Sequence, residues 1–167
     1  GFWQRTLGGR FTQAEITEQA SYLGLVIPDG YNVTLIRLEY RKSLDVRDEW
    51  NDDLIYFVAR NVAGEIFGDL KNENSCQDDY GNLVMIHEMF SPEQVQEKLK
   101  ESCRVLEHYA PVRCIGGSAA GAGYQELNTA YQAAITEMEQ LKGESGIIRE
   151  VKNFIEDNYY RESLTLQ

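Results

Sequence analysis

The sequence predicts an α+β fold, with helices packed on a central mixed or antiparallel sheet and a further helix at the C-terminus. Short apolar runs typical of strands alternate with apolar stripes at helical spacing. The predicted strands are joined both by a hairpin turn and by helices, which is the order of an α+β protein. The chain has 167 residues, of which 43% are hydrophobic, so one domain with a full core is expected.

Two helices are predicted before the first strand. The first covers Phe2 to Leu7, is interpreted as the end of a helix that enters from upstream, and stops at Gly8-Gly9. The stretch Thr12-Gln13-Ala14-Glu15 is a capping box, in which the Thr12 hydroxyl can accept a hydrogen bond from the Glu15 amide. The second helix is therefore expected to begin there and to end at about Leu23.

The first strand is predicted from Tyr31 to Arg41, after the turn Pro28-Asp29-Gly30. Apolar side chains occur on both of its faces, which predicts a strand that is covered on both sides. Val33 and Leu35 point one way, whereas Ile36, Leu38 and Tyr40 point the other. A polar loop from Asp45 to Trp50 is expected to follow.

A long helix and a hairpin come next. Asp52 to about Leu70 has an apolar stripe at helical spacing, which predicts the helix. Cys76 to Asp79 then leads into Tyr80-Gly81-Asn82, a hairpin turn. The apolar run from Leu83 to Met89, broken only by His87 and Glu88, predicts an interior strand.

The second half of the chain is predicted to begin with a capped helix. Ser91 is an N-cap followed by proline, acids and amides, and the helix is expected to reach about Tyr109. Val112 to Ile115 is predicted as a strand, and Gly116 to Gly123 as a glycine-rich turn. A helix from Tyr124 to Leu141 follows.

Composition and charge exclude several classes of function. The net charge of −11, from 27 acidic and 16 basic residues, argues against direct nucleic-acid binding by this fragment, because neutralising phosphates requires a basic face. No run of about 18 apolar residues is present to cross a bilayer, and the first residues lack the pattern of a signal peptide. The abrupt ends suggest an excised piece of a longer protein. The three cysteines lack CxxC spacing, so reduced thiols are expected.

The glycine-rich stretch is the first candidate for chemistry, since a strand that leads into a helix through glycines often holds a phosphate. Gly116 and Gly121 have the spacing of a P-loop, but Ala122-Gly123 stand where lysine and Ser or Thr would contact phosphate and magnesium. A dinucleotide fingerprint would need a following βαβ unit, and none follows. A structural turn is therefore preferred over phosphate binding.

The histidines and one acidic pair are the remaining candidates. His87 and His108 have no neighbouring ligand at metal spacing and no nucleophile beside them, so they are interpreted as packed or surface residues. Asp78-Asp79 at the hairpin can hold magnesium, although both are also ordinary turn residues. The sequence thus predicts no catalytic, cofactor-binding or metal-binding residue, and it leaves ligand-binding residues unassigned.

Four stretches, in a fixed order and spacing, carry a family pattern. They are Phe2 to Gly9 with Tyr22 to Leu25; Leu54 to Phe67; Gly117-Ser118 with Leu127 to Ala134; and Ile148 to Tyr159 with Ser163-Leu164. Together they resemble bacterial transcription regulators that join a receiver or transmembrane sensor, a degenerate GGDEF-like domain and an AraC-type helix-turn-helix domain. Ala133 stands where that family usually has Glu.

The resemblance implies a division of the chain and a nucleotide-cyclase-like fold. Residues 1–141 would be the GGDEF-like regulatory domain, 142–146 a linker, and 147–167 the truncated start of the AraC-type domain, with its first helix from Ile147 to about Tyr159. The family usually has a further strand before that helix, where this chain has only Lys142 to Gly146. The hairpin Asp78 to Leu83 lacks the paired glycines and following acids of active cyclases.

The function expected from this resemblance is a non-catalytic, cytoplasmic regulatory domain without a cofactor. It would form a homodimer and couple an upstream receiver or sensor to a DNA-binding module that lies mostly outside this chain, with no membrane contact of its own. Two alternatives remain open: a domain that senses a small molecule held between sheet and helices, and a nucleotide cyclase.

Overall fold

The computed structural model describes residues 2–23, 27, 29–41, 50–68 and 74–143, and these form an α+β domain, as the sequence predicts. The elements in chain order are α1 (Phe2–Leu7), α2 (Gln13–Leu23), β1 (Gly30–Tyr40), α3 (Asp52–Ile66), β2 (Ser75–Gln77), β3 (Leu83–Glu88), α4 (Pro92–Tyr109) and β4 (Val112–Ala122). A short 3₁₀ turn, Tyr124–Glu126, leads into α5, which is helical over residues 127–143.

The four strands form one antiparallel sheet in the order β2-β3-β1-β4. Its central strand β1 pairs with β3 from Tyr31↔Glu88 to Ile36↔Leu83, and with β4 from Gly30↔Ala122 to Tyr40↔Val112. Along the chain the elements of the sheet and its connecting helices follow one another as β1-α3-β2-β3-α4-β4. This connectivity, with the strand order β2-β3-β1-β4, is the split βαβ, or ferredoxin-like, arrangement. The edges of the sheet are β2 and β4.

Both faces of the sheet are covered, as the two-sided apolar pattern of β1 predicts. One core contains Val33 and Leu35 of β1 together with residues of α1 and α5; the other contains Ile36 with residues of α3 and α4. Side chains of a strand alternate between faces, so each layer receives every second residue. The domain therefore has three layers, with α1 and α5 on one face and α3 and α4 on the other.

Side-chain caps fix where the helices begin. Ser91 Oγ accepts from the Gln94 amide at 3.2 Å, and Gln94 Oε1 accepts from the Ser91 amide at 3.0 Å, which confirms the predicted start of α4. Asn51 caps α3 by accepting from the Leu54 amide at 2.8 Å. The helix α3 ends at Ile66, earlier than the predicted Leu70, because Gly68 has a φ of +101° that a helix cannot continue through.

The predicted glycine turn from Gly116 to Gly123 is wrong over most of its length. The strand β4 continues through it to Ala122, so Gly117-Ser118 is not a strand end either. The glycines serve close packing: a Cβ on Gly117 would press on the Ala134 carbonyl oxygen and lie 2.8 Å from the Met138 nitrogen. The chain turns only at Gly123, where φ is +67°.

Lys142 and Gly143, which the prediction assigned to the linker at 142–146, continue the helix α5. The Lys142 ammonium also pairs with Glu39 of β1 at 2.8 Å, which holds this part of α5 to the sheet. Most of the predicted loop before Trp50 and the predicted helix from Ile147 to Tyr159 lie outside the described residues. Within the described part, no helix is long and apolar enough to cross a membrane.

We predict that Gly117→Ala destabilises the protein by about 1–3 kcal/mol, because the added methyl group overpacks the contact between β4 and α5. Gly143→Ala is the matched control, since a Cβ there meets no atom within 4 Å in the described structure. That control should be neutral or up to about 1 kcal/mol more stable, because alanine is the better helix former. Urea unfolding of the three proteins measures the difference, and equal stabilities for both variants would contradict the close contact.

Candidate functional site

The hairpin between β2 and β3 holds the first predicted candidate, Asp78-Asp79, and the structure separates the two carboxylates by role. Asp78 is buried, and its oxygens accept four hydrogen bonds: from the amides of Tyr80 and Asn82, the Asn82 side chain and the Tyr131 hydroxyl, at 2.7–3.0 Å. Asp79 is exposed and pairs with Arg10 at 3.5 Å. The Asp78 carboxylate is therefore already bound by hydrogen-bond donors of its own domain.

Asp78 connects the hairpin to α5. The phenol of Tyr131 donates to Asp78 Oδ2 at 2.7 Å, and burial together with this bond raises the pKa of Tyr131 above its ordinary value. Asn82 Oδ1 in turn accepts from Arg37 Nε at 3.1 Å, and Arg37 pairs with Glu139 at 2.8 Å. The network thus connects the hairpin to α5 at two positions, Tyr131 and Glu139.

The hairpin offers little room for a ligand. The depression beside it has a volume of about 210 Å³. Ligand pockets in proteins usually measure about 300–1,000 Å³. Among the described residues, no group of three or more His, Cys, Asp or Glu side chains is placed to hold a metal ion.

His87 is a buried residue of the sheet, in accord with its interpretation as a packed histidine, and its hydrogen bonds reveal its tautomer. The carbonyl of Glu88 can only accept, so Nδ1 carries the proton and donates to it at 2.8 Å. Nε2 then accepts from the Thr34 hydroxyl at 2.7 Å, and Thr34 Oγ1 accepts from Ser118 Oγ at 2.8 Å. A relay of three side chains therefore crosses β3, β1 and β4. His108 is exposed at the end of α4.

Two cysteines that lie 11 positions apart in the sequence come together in the structure. Contact with the Cys114 side chain lowers the pKa of Cys103, and the same contact, followed by burial, raises the pKa of Cys114. Burial raises the pKa of Cys76 to about 12, so that thiol stays protonated. All three cysteines are free thiols. Spacing alone could not reveal the pair, because α4 ends and β4 begins between its members.

A cleft of about 390 Å³ adjoins the relay beside the outer edge of β4, and we call it the edge cleft. It is lined mainly by apolar side chains, including Met89 and Phe90, and by a few polar ones: Asn32, Gln96, Ser118 and Glu137. Sequence reasoning missed this site, because its residues come from β1, α4, β4 and α5 and no local motif connects them.

One hydrogen bond joins two of the residues that line the edge cleft. Gln96 Nε2 of α4 donates to Glu137 Oε1 of α5 at 3.2 Å. Since α4 and α5 lie on opposite faces of the sheet, the two side chains meet beyond the edge strand β4. This contact is possible because β4 carries only glycine, serine and alanine from Gly116 to Ala122.

We predict that His87 makes stability depend on pH. Burial lowers the pKa of His87 below its ordinary 6.5, so the unfolded chain binds the proton first on acidification. The stabilising contribution is complete above about pH 6.5 and is lost as the pH falls toward the folded-state pKa. Urea unfolding should show a lower free energy of unfolding at about pH 5.5 than at about pH 7.5. In His87→Gln this difference should be smaller by roughly 1 kcal/mol.

The second histidine supplies the control for this experiment. His108→Gln makes the same substitution at an exposed position and should leave the difference in stability between the two pH values unchanged. If His87→Gln retained the wild-type difference between the two pH values, the buried neutral imidazole would be refuted.

A scan against protein-family models finds no match, and a search of curated proteins finds none either.

Proposed function

We propose that this chain is a non-catalytic regulatory domain of a bacterial AraC-type transcription regulator. In this proposal the domain receives a signal through α1 and passes it on through α5 toward a DNA-binding module. The proposal rests on the family resemblance of the four sequence stretches and on the way in which α1 and α5 are packed.

The observation that carries the proposal is that α1 and α5 share one hydrophobic core on the same face of the sheet. Trp3 and Leu7 of α1 are buried with Leu127 and Tyr131 of α5. The Asn128 side chain also donates to the Leu7 carbonyl, so the end of α1 is held by the first turn of α5. Displacing α1 must therefore disturb α5, and such a coupled pair of elements is what signal transmission requires.

The hairpin supports a non-catalytic role. Active cyclases of the resembled type use acids on this hairpin to hold magnesium, whereas the Asp78 carboxylate here accepts four hydrogen bonds from its own domain. Recruiting it for a metal would break the connection to Tyr131 and leave buried polar groups unpaired.

The proposed working state is a cytoplasmic homodimer, because symmetric dimers are the common form of regulators that read two DNA half-sites. The net charge of −11 keeps DNA contacts away from this domain. In the proposal, DNA is reached only through the helix-turn-helix module, and the upstream partner is a receiver or sensor domain.

A second candidate function is small-molecule sensing, and the edge cleft favours it. The cleft has the volume of a small ligand pocket, and its wall includes residues of α4 and α5. An occupant would thus contact α5, the same helix that the first proposal uses for output.

We predict that the intact gene product that contains this chain selects discrete promoter fragments from sheared genomic DNA. The same preparation should form no cyclic dinucleotide when it is incubated with GTP and magnesium. Sequencing of the retained fragments measures the first activity, and chromatography of the nucleotides measures the second.

The control is the same protein with the helix-turn-helix module deleted, which should lose the selection. Uniform retention of all fragments would contradict the regulatory proposal. Any cyclic dinucleotide product would contradict the non-catalytic role.

A further inference from the structure

We propose that the edge cleft binds a small cationic amphiphile: a protonated amine on an apolar body, with a carbonyl group nearby. This inference deepens the sensing function named above as the second candidate. It does not depend on a link to DNA, because it rests only on the groups that line the cleft.

Asn32 supplies a hydrogen-bond donor for the carbonyl group. Its side chain is only 6% exposed, and Oδ1 is fixed because it accepts from the Phe90 amide at 2.8 Å. The Nδ2 group has no hydrogen-bond partner in the part of the chain that the structure describes. A buried amide with one committed atom and one free donor is a group that orients ligands in pockets.

Two acceptors suit the protonated amine. Ser118 donates its proton to Thr34, because the Thr34 hydroxyl is itself committed to His87, so the lone pairs of Ser118 Oγ stay available. Glu137 accepts from Gln96 through Oε1 only, and Oε2 has no partner among the described residues. An ammonium group near Glu137 would form a charge-assisted bond, which is stronger than a neutral one. The net charge of −11 also favours a cation over an anion.

The other residues that line the cleft are apolar and favour a ligand whose remaining part is apolar. Met89 is 52% exposed on the rim, and Phe90, Val95 and Ala119 line the interior. A volume of about 390 Å³ lies near the lower end of the range for ligand pockets, about 300–1,000 Å³, so a single ring or a short alkyl chain fits.

Side chains cap both ends of the outer edge of β4, which favours a small molecule over a pairing strand as the occupant. Glu107 Oε1 accepts from the Cys114 amide at 2.9 Å, and Glu126 Oε2 accepts from the Ala122 amide at 2.6 Å. Both ends of the outward row of amides are thus capped, and the Gln96–Glu137 bond spans the region between them. Native proteins block edge strands in this manner to prevent strand addition.

The test is a titration of the ¹⁵N-labelled chain with L-phenylalaninamide, followed by amide spectra. This probe has the ammonium group, the carbonyl and the apolar body. We expect saturable shifts of the Asn32 side-chain amide and of the Ser118 and Ala120 backbone amides. Two related probes lack one feature each: 3-phenylpropanamide has no ammonium group, and L-phenylalanine replaces the amide with a carboxylate. Both should bind roughly tenfold more weakly.

A substitution that removes the charge of Glu137 tests whether its carboxylate binds the ammonium group of the probe. Glu137→Gln keeps the size of the side chain and an acceptor for Gln96, and it should abolish the preference for L-phenylalaninamide over 3-phenylpropanamide. Glu101→Gln removes the same charge from an exposed position of α4 and should leave the preference intact. If Glu137→Gln does not fold, the comparison of the two probes on the wild-type chain carries the test alone.

The proposal is overturned if no saturable shift occurs up to ~10 mM probe, if the shifts map away from the edge cleft, or if the neutral probe binds as well as the amine. These results would leave the selection of promoter fragments untouched. A failure of that selection would, conversely, leave ligand binding intact, so the two proposals fail separately.

Discussion

The contact between α5 and Gly117 of β4 is the constraint on which the rest of the arrangement depends. A side chain at position 117 would meet the backbone of α5 itself, so only glycine lets the helix lie this close to the sheet. That approach seats Met138 and Ala134 in the core. It also brings Glu137 to the edge of the sheet, where Gln96 reaches it from the opposite layer.

Because α5 lies so close to the sheet, it collects contacts from distant parts of the chain. Its first turn holds the end of α1 through Asn128, its second turn binds the hairpin through Tyr131, and Glu137 borders the edge cleft. These contacts are short, buried or half-buried, and made to different elements. A change at α1, the hairpin or the cleft therefore acts on one helix, which is the physical basis of both proposed functions.

Local patterns predicted much of this fold, and contacts between distant residues decided the rest. The two-sided apolar pattern of β1 and the cap at Ser91 are local, and both predictions are confirmed. The glycines of β4 were predicted as a turn because their actual role depends on a tertiary contact. They make room for α5, a helix that begins ten residues after Gly117. The edge cleft was missed for the same reason: Asn32, Gln96 and Glu137 meet only after the sheet and both helical layers have assembled.

Hydrogen exchange measured by mass spectrometry on Asn128→Ala tests the coupling of α1 to α5 most directly. The substitution removes the bond from Asn128 to the Leu7 carbonyl, and Thr129→Ala changes the exposed neighbouring position as a control. We expect several-fold faster exchange in α1, in line with the loss of about 1 kcal/mol, and unchanged exchange in α3 on the opposite face. Unchanged exchange in α1, or equal effects of both variants, would contradict this coupling.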